Sequence, residues 1–248
     1  MALMTQWLDS RLYPSFSNNW DDVLFREVIL SRVAPWHHML DLGAGAGIVP
    51  QMNFRGLVSR VSGVDPDPRV RTNPFLDEGR VGSGEALPYA NESFDVVIAD
   101  NVVEHLLDPV VVFSEVARVL KPGGMFMFKT PNRLHYMPTV ARLTPHWFHR
   151  LYNKLRGRAT RDTFPTCYRA NTRAAVERIA QSVGLAVDSM QLVEGRPEYL
   201  RAMPVAYLLG WAYERAVNRI RVLERFRILL IATLRKPQWS KSKSQLAP

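Results

Sequence analysis

Between residues 37 and 131, short apolar runs alternate with stretches whose apolar residues recur at helical spacing. That alternation predicts βαβ units and a parallel sheet. His38–Leu42, Arg60–Asp65, 80–82, 94–99 and 125–129 read as five strands, the fourth (Phe94-Asp95-Val96-Val97-Ile98-Ala99) as a buried one. A short helix is expected near Ile48, where Pro50 is tolerated in the first turn. Residues 109–120 place Val112, Val116, Val119 and Leu120 at helical spacing, and Lys121-Pro122-Gly123-Gly124 is expected to stop that helix.

Residues 131–170 break the rhythm with Pro131, Pro138, Pro145, Pro165 and six aromatics, which predicts a partly helical insertion. The pattern then resumes. A helix is expected over 171–183, capped by Asn171 or Thr172 and stopped by Gly184. Ala186–Val193 reads as a sixth strand and 227–234 as the last. Between them Val205, Leu208, Leu209, Ala212, Ala216, Val217, Ile220 and Leu223 fall on one helical face. Lying between two strands, that face is expected to cover the sheet, although the arginines at 215, 219, 221 and 225 also suit an anionic membrane surface.

With 47% hydrophobic and 22% charged residues among 248, the chain can bury a full core, which excludes overall disorder. The one cysteine, Cys167, excludes an intrachain disulfide framework and a cysteine-rich zinc site. Asp9 and Arg11 interrupt any signal-peptide core, and no stretch reaches the roughly 20 apolar residues of a membrane span. A soluble, cytoplasmic chain with room for peripheral membrane contact is expected.

The net charge of +9 is unevenly placed. Nine basic residues face one acid between Arg133 and Arg173, and eleven face four from Met190 onward. Such a bias suits an anionic acceptor, an acidic lipid surface or nucleic acid, or serves solubility alone.

The strongest chemical signal is Asp41-Leu42-Gly43-Ala44-Gly45-Ala46-Gly47 at the end of the first strand. Glycines there let backbone approach a ligand closely. A dinucleotide fingerprint needs its third glycine at position 48, which is Ile. The G-x-G-x-G spacing disfavours a pyrophosphate and suits a nucleoside. Asp65, eighteen residues past Gly47 and closing the second strand, is placed to grip two ribose hydroxyls.

On these residues the chain resembles the class I S-adenosylmethionine-dependent methyltransferases. Leu40–Gly47, Val64-Asp65, Gly82-Ser83-Gly84-Glu85-Ala86-Leu87-Pro88-Tyr89 with Ser93-Phe94-Asp95-Val96-Val97, and Glu104-His105-Leu106 with Arg118-Val119-Leu120-Lys121-Pro122-Gly123-Gly124 carry the resemblance. It implies a Rossmann-like α/β three-layer sandwich whose seven-stranded, mostly parallel sheet has an antiparallel last strand. One methyltransferase domain over 1–248 is expected: an N-terminal helical lid (1–35), a cofactor-binding half (36–132), a basic acceptor-side insertion (133–170), a C-terminal half (171–237) and a tail (238–248).

The resemblance further implies S-adenosylmethionine as cofactor. Asp41, Gly43, Ala44, Gly45 and Gly47 would hold its methionine end, Asp65 and Pro66 its ribose, and Ser83, Gly84 and Glu85 its adenine, with Asp100 and Asn101 completing the set. The family usually has an acid where Ser83 stands. Quinone-type O-methyltransferases hold a divalent metal with Glu-x-x-Glu-His. Here Asn101-Val102-Val103-Glu104-His105 replaces one carboxylate by an amide, and no metal is expected.

His105, just after the fourth strand at the carboxyl edge, is the first choice for a base that deprotonates a hydroxyl acceptor, and His135 is a second. His146, His149, Tyr136 and Trp147 belong to the insertion expected to build the acceptor pocket, and Arg133, Arg142, Arg150 and Arg169 suit a phosphate or carboxylate on the acceptor. Tyr13, Trp20 and Arg26 are expected over the methionine end. The activity expected is O-methylation of a small-molecule or lipid- or glycan-linked acceptor. Nucleic-acid methylation is disfavoured, because no Asn/Asp-Pro-Pro-aromatic signature follows the fourth strand. A non-catalytic cofactor-binding partner subunit and a nicotinamide dehydrogenase are the remaining alternatives.

Overall fold

The computed structural model describes residues 2–14, 16, 19–143, 165–198, 200–201 and 203–238. In chain order it runs α1 (Ala2–Leu12), α2 (Trp20–Leu30), β1 (His38–Leu42), β2 (Arg60–Asp65), β3 (Glu78–Val81), β4 (Phe94–Asp100), α3 (Pro109–Val119), β5 (Leu120–Pro131), α4 (Tyr136–Leu143), α5 (Arg173–Ser182), β6 (Ala186–Val193), α6 (Pro204–Arg219) and β7 (Leu229–Arg235). Short 3-10 turns join several of these. The strands form one sheet in the order β3-β2-β1-β4-β5-β7-β6. Neighbours from β3 to β5 pair in parallel, and β7 runs antiparallel to both β5 and β6. The expected fold class holds.

Alternation along the strands divides the core between the two faces of the sheet. Leu40, Val97, Ala99, Phe126 and Phe128 point to one face, where α3 and α5 bring Val112, Phe113, Val116, Val176 and Ala180. Met39, Val61, Val96, Ile98 and Met127 point to the other, where α2 brings Phe25 and Ile29. The Phe113 ring meets Phe126 edge-on at 5.2 Å, and each fully buried phenylalanine contributes about 1.5–3 kcal/mol. α3 begins where the pattern places it. Its Asp108 cap accepts the amide protons of Val110 and Val111, which offsets the poor helix propensity of three successive valines.

Three local expectations change. The segment at Ile48 is an exposed turn followed by a 3-10 turn, Pro50–Met52, not an α-helix. β3 spans Glu78–Val81, two residues earlier than the apolar pattern suggests. Lys121-Pro122-Gly123-Gly124 lies inside β5, entered through a register shift opposite Phe94 and Val96.

The largest correction concerns α6, whose apolar face does not cover the sheet. Its buried residues are Tyr207, Gly210, Glu214 and Val217, while Val205, Leu208 and Leu209 face solvent. Hydrogen bonds explain the choice. Tyr207 donates to Asp9 (2.7 Å), and Tyr13 and Asn218 both donate to Glu214 (3.0 and 2.6 Å). A side chain at Gly210 would lie 2.6 Å from Pro197, so only glycine permits that approach. Among the described residues no helix is long and apolar enough to cross a membrane.

Candidate active site

The strand order reverses between β1 and β4, which places a crevice outside their carboxyl ends. The glycine loop leaves β1 there, with Gly43, Gly45 and Gly47 all at positive φ (80°, 51° and 70°). Besides the backbone demand, a Cβ on Gly43 would sit 2.3 Å from the Val102 side chain, and one on Gly47 would sit 2.2 Å from the Asn73 side-chain oxygen. The loop is anchored from below by Val64, whose carbonyl accepts the amide protons of Gly43 (2.8 Å) and Ala44 (3.3 Å). Buried Asn73, which sequence reading missed, donates to the carbonyls of Ala44 (2.9 Å) and Gly45 (3.3 Å).

Asp65 sits where β2 ends, and its carboxylate is already oriented. Oδ2 accepts the Gly45 N–H at 2.9 Å and Oδ1 accepts the Asp67 N–H at 2.8 Å. Each oxygen retains acceptor capacity for a ligand hydroxyl. Pro66 follows on the exposed side. Across the crevice stand Asp41 and Asp100, from the ends of β1 and β4. Burial pushes the Asp41 carboxyl up to about 8, and the nearby charges of Asp100 and Asp65 add to the rise. Burial likewise pushes Asp100 up to about 6, against the opposing pull of Lys129. Three carboxylates thus meet at this edge of the sheet, and burial raises two of them.

Lys129 is fully buried in β5 and pairs with Asp100, 3.2 Å away. It also donates to Asp21 (2.8 Å) and to Asp22, in the first turn of α2. Burial opposes its charge, but Asp100 and Asp21 outweigh that and hold the ammonium firmly protonated. This cluster was missed by sequence reading. The residues expected from that region do otherwise. Tyr13 bonds Glu214 on α6, Trp20 packs against Gly195, and Arg26 donates to the carbonyls of Gln51 (2.6 Å) and Asn53 (2.8 Å). The Tyr13 side chain therefore ties the N-terminal segment to α6.

Ser83, Gly84 and Glu85 follow β3 at the same edge. Gly84 packs close to Leu42 and Val112, and the exposed Ser83 hydroxyl accepts the Glu85 N–H (3.2 Å). Asn101 adopts a left-handed conformation (φ 53°) and donates its side-chain amide to Asp100 at 2.9 Å. This turn brings Val102 against Gly43 and starts the 3-10 turn carrying Glu104 and His105.

His105 is partly exposed, and its Nδ1 lies 3.0 Å from the carbonyl oxygen of Pro165. A carbonyl only accepts, so this contact places a proton on Nδ1, while Nε2 lies 4.0 Å from Glu104 Oε1. Glu104 is turned inward: it accepts the Thr130 hydroxyl proton (2.8 Å), Asn171 donates to that hydroxyl (2.6 Å), and burial raises its carboxyl. No group of three His, Cys, Asp or Glu residues with metal-binding proximity occurs among the described residues.

His135 does not join this group. It is 1% exposed, with Nδ1 accepting the Met137 N–H (3.2 Å) and Nε2 3.4 Å from Glu194. Burial drives its pKa down to about 3 and raises that of Glu194 to about 8. Of the proposed acceptor arginines, Arg133 is exposed, and Arg169 donates to the Leu107 carbonyl (2.5 Å). The side chains of Arg142, His146, Trp147, His149 and Arg150 lie outside the described residues. A separate cavity of about 360 Å³, lined by Arg32, Asp95 and Gly123 among others, opens at the amino edge of the strands, away from the glycine loop.

A glycine loop, an oriented acid on the next strand and three neighbouring carboxylates thus meet at the switch point of an α/β sheet. Residues 40–128 match the family described as "Methyltransferase domain". A Mycolicibacterium smegmatis protein described as "probable S-adenosylmethionine-dependent methyltransferase" is 35% identical over 119 residues, 45% of this chain and 46% of that protein. A ubiquinone biosynthesis O-methyltransferase of Cereibacter sphaeroides is 35% identical over 103 residues, 38% of this chain and 41% of that protein. The match thus spans less than half the length of either relative.

Among solved structures, a methyltransferase of Haloferax volcanii in complex with the Trm112 methyltransferase activator superposes with a TM-score of 0.57. It is 20% identical, with 96% of this chain and 97% of that chain covered. The [4+2]-cyclase SpnF shares the fold at a TM-score of 0.55 and 18% identity, covering 88% of this chain and 82% of that chain. Over residues 40–128 the chain is thus similar to S-adenosylmethionine-dependent methyltransferases, and the solved structures share its fold.

Proposed function

We propose that the chain transfers a methyl group from S-adenosylmethionine to an oxygen of a small-molecule or lipid- or glycan-linked acceptor. The observation that carries this reading is the acidic wall of Asp41, Asp65 and Asp100 beside the glycine loop, with His105 on the same edge. A donor bearing an ammonium and a sulfonium supplies positive charge beside the buried Asp41, and the bound sulfonium supplies the electrophilic methyl. Asp65 holds the ribose hydroxyls. Backbone from Gly43 to Gly47 lies against the methionine end, and Ser83, Gly84 and Glu85 flank the adenine, with Ser83 where relatives carry an acid.

His105 Nε2 accepts the acceptor hydroxyl proton as the new C–O bond forms and the C–S bond breaks, leaving a neutral thioether. Nδ1 lying 3.0 Å from the Pro165 carbonyl supports Nε2 as the accepting atom in this reading. We assign the proton to His105 and not to His135, because a buried imidazole pushed down to about 3 does not hold a proton at neutral pH. The ubiquinone O-methyltransferase relatives favour an oxygen acceptor.

The test is transfer of labelled methyl from S-adenosylmethionine into extract of the source cell, with products split between organic solvent and water. Label in the organic phase supports a lipid-like acceptor. Nuclease-sensitive label moves the assignment to nucleic acid, and no label from a chain that binds S-adenosylhomocysteine moves it to a cofactor-binding subunit. His105→Ala is expected to lower kcat by about 10²–10⁴-fold with S-adenosylhomocysteine affinity kept. Unchanged turnover removes His105 as the base.

A further inference from the structure

α6 is mounted with its apolar side outward. Val205 is 72% exposed and Leu209 67%, and beyond the helix Val222 is 69% exposed. Isolated exposed apolar residues are ordinary, but here they recur on one side of one helix, beside Leu208 and Ala212. The charges on this side are mainly basic. Exposed Arg215, Arg219, Arg221 and Arg225 follow the apolar turns; the acids between Met203 and Phe226 are Glu214, buried and 3.3 Å from Arg215, and Glu224, paired with Arg173. α1 packs beside α6 through Asp9 and Tyr207 and adds exposed Met4 and Trp7, with Arg11 over the indole.

We infer that the outer side of α6, with Trp7 of α1, docks on the surface of an anionic bilayer. The aliphatic turns enter the headgroup region, the arginines meet lipid phosphates, and the indole sits at the boundary, the arrangement of an interfacial amphipathic helix. The charge pattern selects this occupant over two others. A second copy joined by two-fold symmetry would bring the arginine ends of both helices into one interface of like charge. Nucleic acid has no use for an aliphatic centre, since bases stack on aromatic rings. Tyr213 of the same helix meets the His135 and Tyr136 rings just after β5, so docking brings the carboxyl edge of the sheet near the lipid. The inference rests on this surface alone and stands apart from methyl transfer.

Co-sedimentation of the full chain with vesicles tests it, without any methyl donor. Vesicles of phosphatidylcholine mixed with phosphatidylglycerol are expected to carry the chain down, and phosphatidylcholine alone to carry far less. High salt is expected to weaken the association. Arg215→Gln with Arg219→Gln should lower partitioning by about fivefold per arginine, and Leu208→Ser with Leu209→Ser should lower it at least as much. Both pairs lie on the surface, and unchanged circular dichroism and thermal unfolding confirm that they fold. Equal binding to both vesicles, binding unaffected by either pair, or a vesicle-free dimer that Leu208→Ser with Leu209→Ser dissociates overturns the proposal.

Discussion

Asp41 is a residue whose chemistry its surroundings alter strongly. Its carboxyl is raised from the ordinary 3.8 to about 8, first by burial and then by Asp100 and Asp65. Between those two values the folded ligand-free chain binds a proton that the unfolded chain does not. Its stability therefore falls as pH rises through that range. A bound cation favours the ionised carboxylate, so S-adenosylmethionine should bind more tightly as pH climbs toward 8 and should release a proton on binding at neutral pH. Calorimetry in two buffers of different ionisation enthalpy measures that proton, and Asp41→Asn should abolish its release; equal heats for the wild type in both buffers would count against the ionisation. Asp65 differs because two backbone amides already hold it. Asp65→Ala removes the two charged hydrogen bonds proposed to the ribose as well as the brace on Gly45. At about 1.5–3 kcal/mol for each bond, S-adenosylhomocysteine affinity should drop about 100-fold or more. Affinity like that of the wild type would break the ribose assignment.

At the scale of elements, α2 is fastened to the sheet in two ways. Phe25 and Ile29 pack below it, and Asp21 and Asp22 clamp Lys129 at its first turn. Lys129→Met would leave three carboxylates facing one another around an apolar side chain. Breaking a buried pair from one side costs about 3–5 kcal/mol, and the partial exposure of Asp21 places the expected loss near the lower end. Urea unfolding measures the total, and amide exchange at 20–24 should accelerate more than in β1 or β4; equal acceleration throughout would mean that the clamp is no local fastening. None of this could be read from the chain, because Lys129 and Asp21 are 108 residues apart and neither lies in a motif. The loop from Asp41 to Gly47 and the acid at 65 were legible because the fold demands those residue types within a short, ordered stretch. The sense of α6 was not. Periodicity finds a stripe but is silent on which side is buried, and here hydrogen bonds to Tyr207 and Glu214, with the small Gly210, outweighed the aliphatic side.

Across the whole molecule, charge is divided along the chain as sharply as chemistry. Residues 1–132 carry 11 basic and 16 acidic residues, and residues 133–248 carry 21 and 7. The acidic part contains the glycine loop, Asp41, Asp65 and Asp100, and suits a donor with a net positive charge. The basic part contains the segment proposed to meet the acceptor, and a field of that sign draws in an anionic molecule. Salt separates these two attractions from chemistry at the reacting atoms. Raising ionic strength from about 0.1 M to about 1 M shortens the screening length from about 10 Å to about 3 Å, so long-range attraction fades while contacts inside the crevice persist. With an anionic acceptor, steady-state kinetics should therefore show the acceptor KM rising several-fold and kcat little changed. The KM for S-adenosylmethionine should rise less, because the buried carboxylates proposed to meet it are screened less than exposed arginines. An acceptor KM indifferent to salt would mean that the basic part of the chain does not steer the acceptor, and would leave its charge to solubility or to the bilayer.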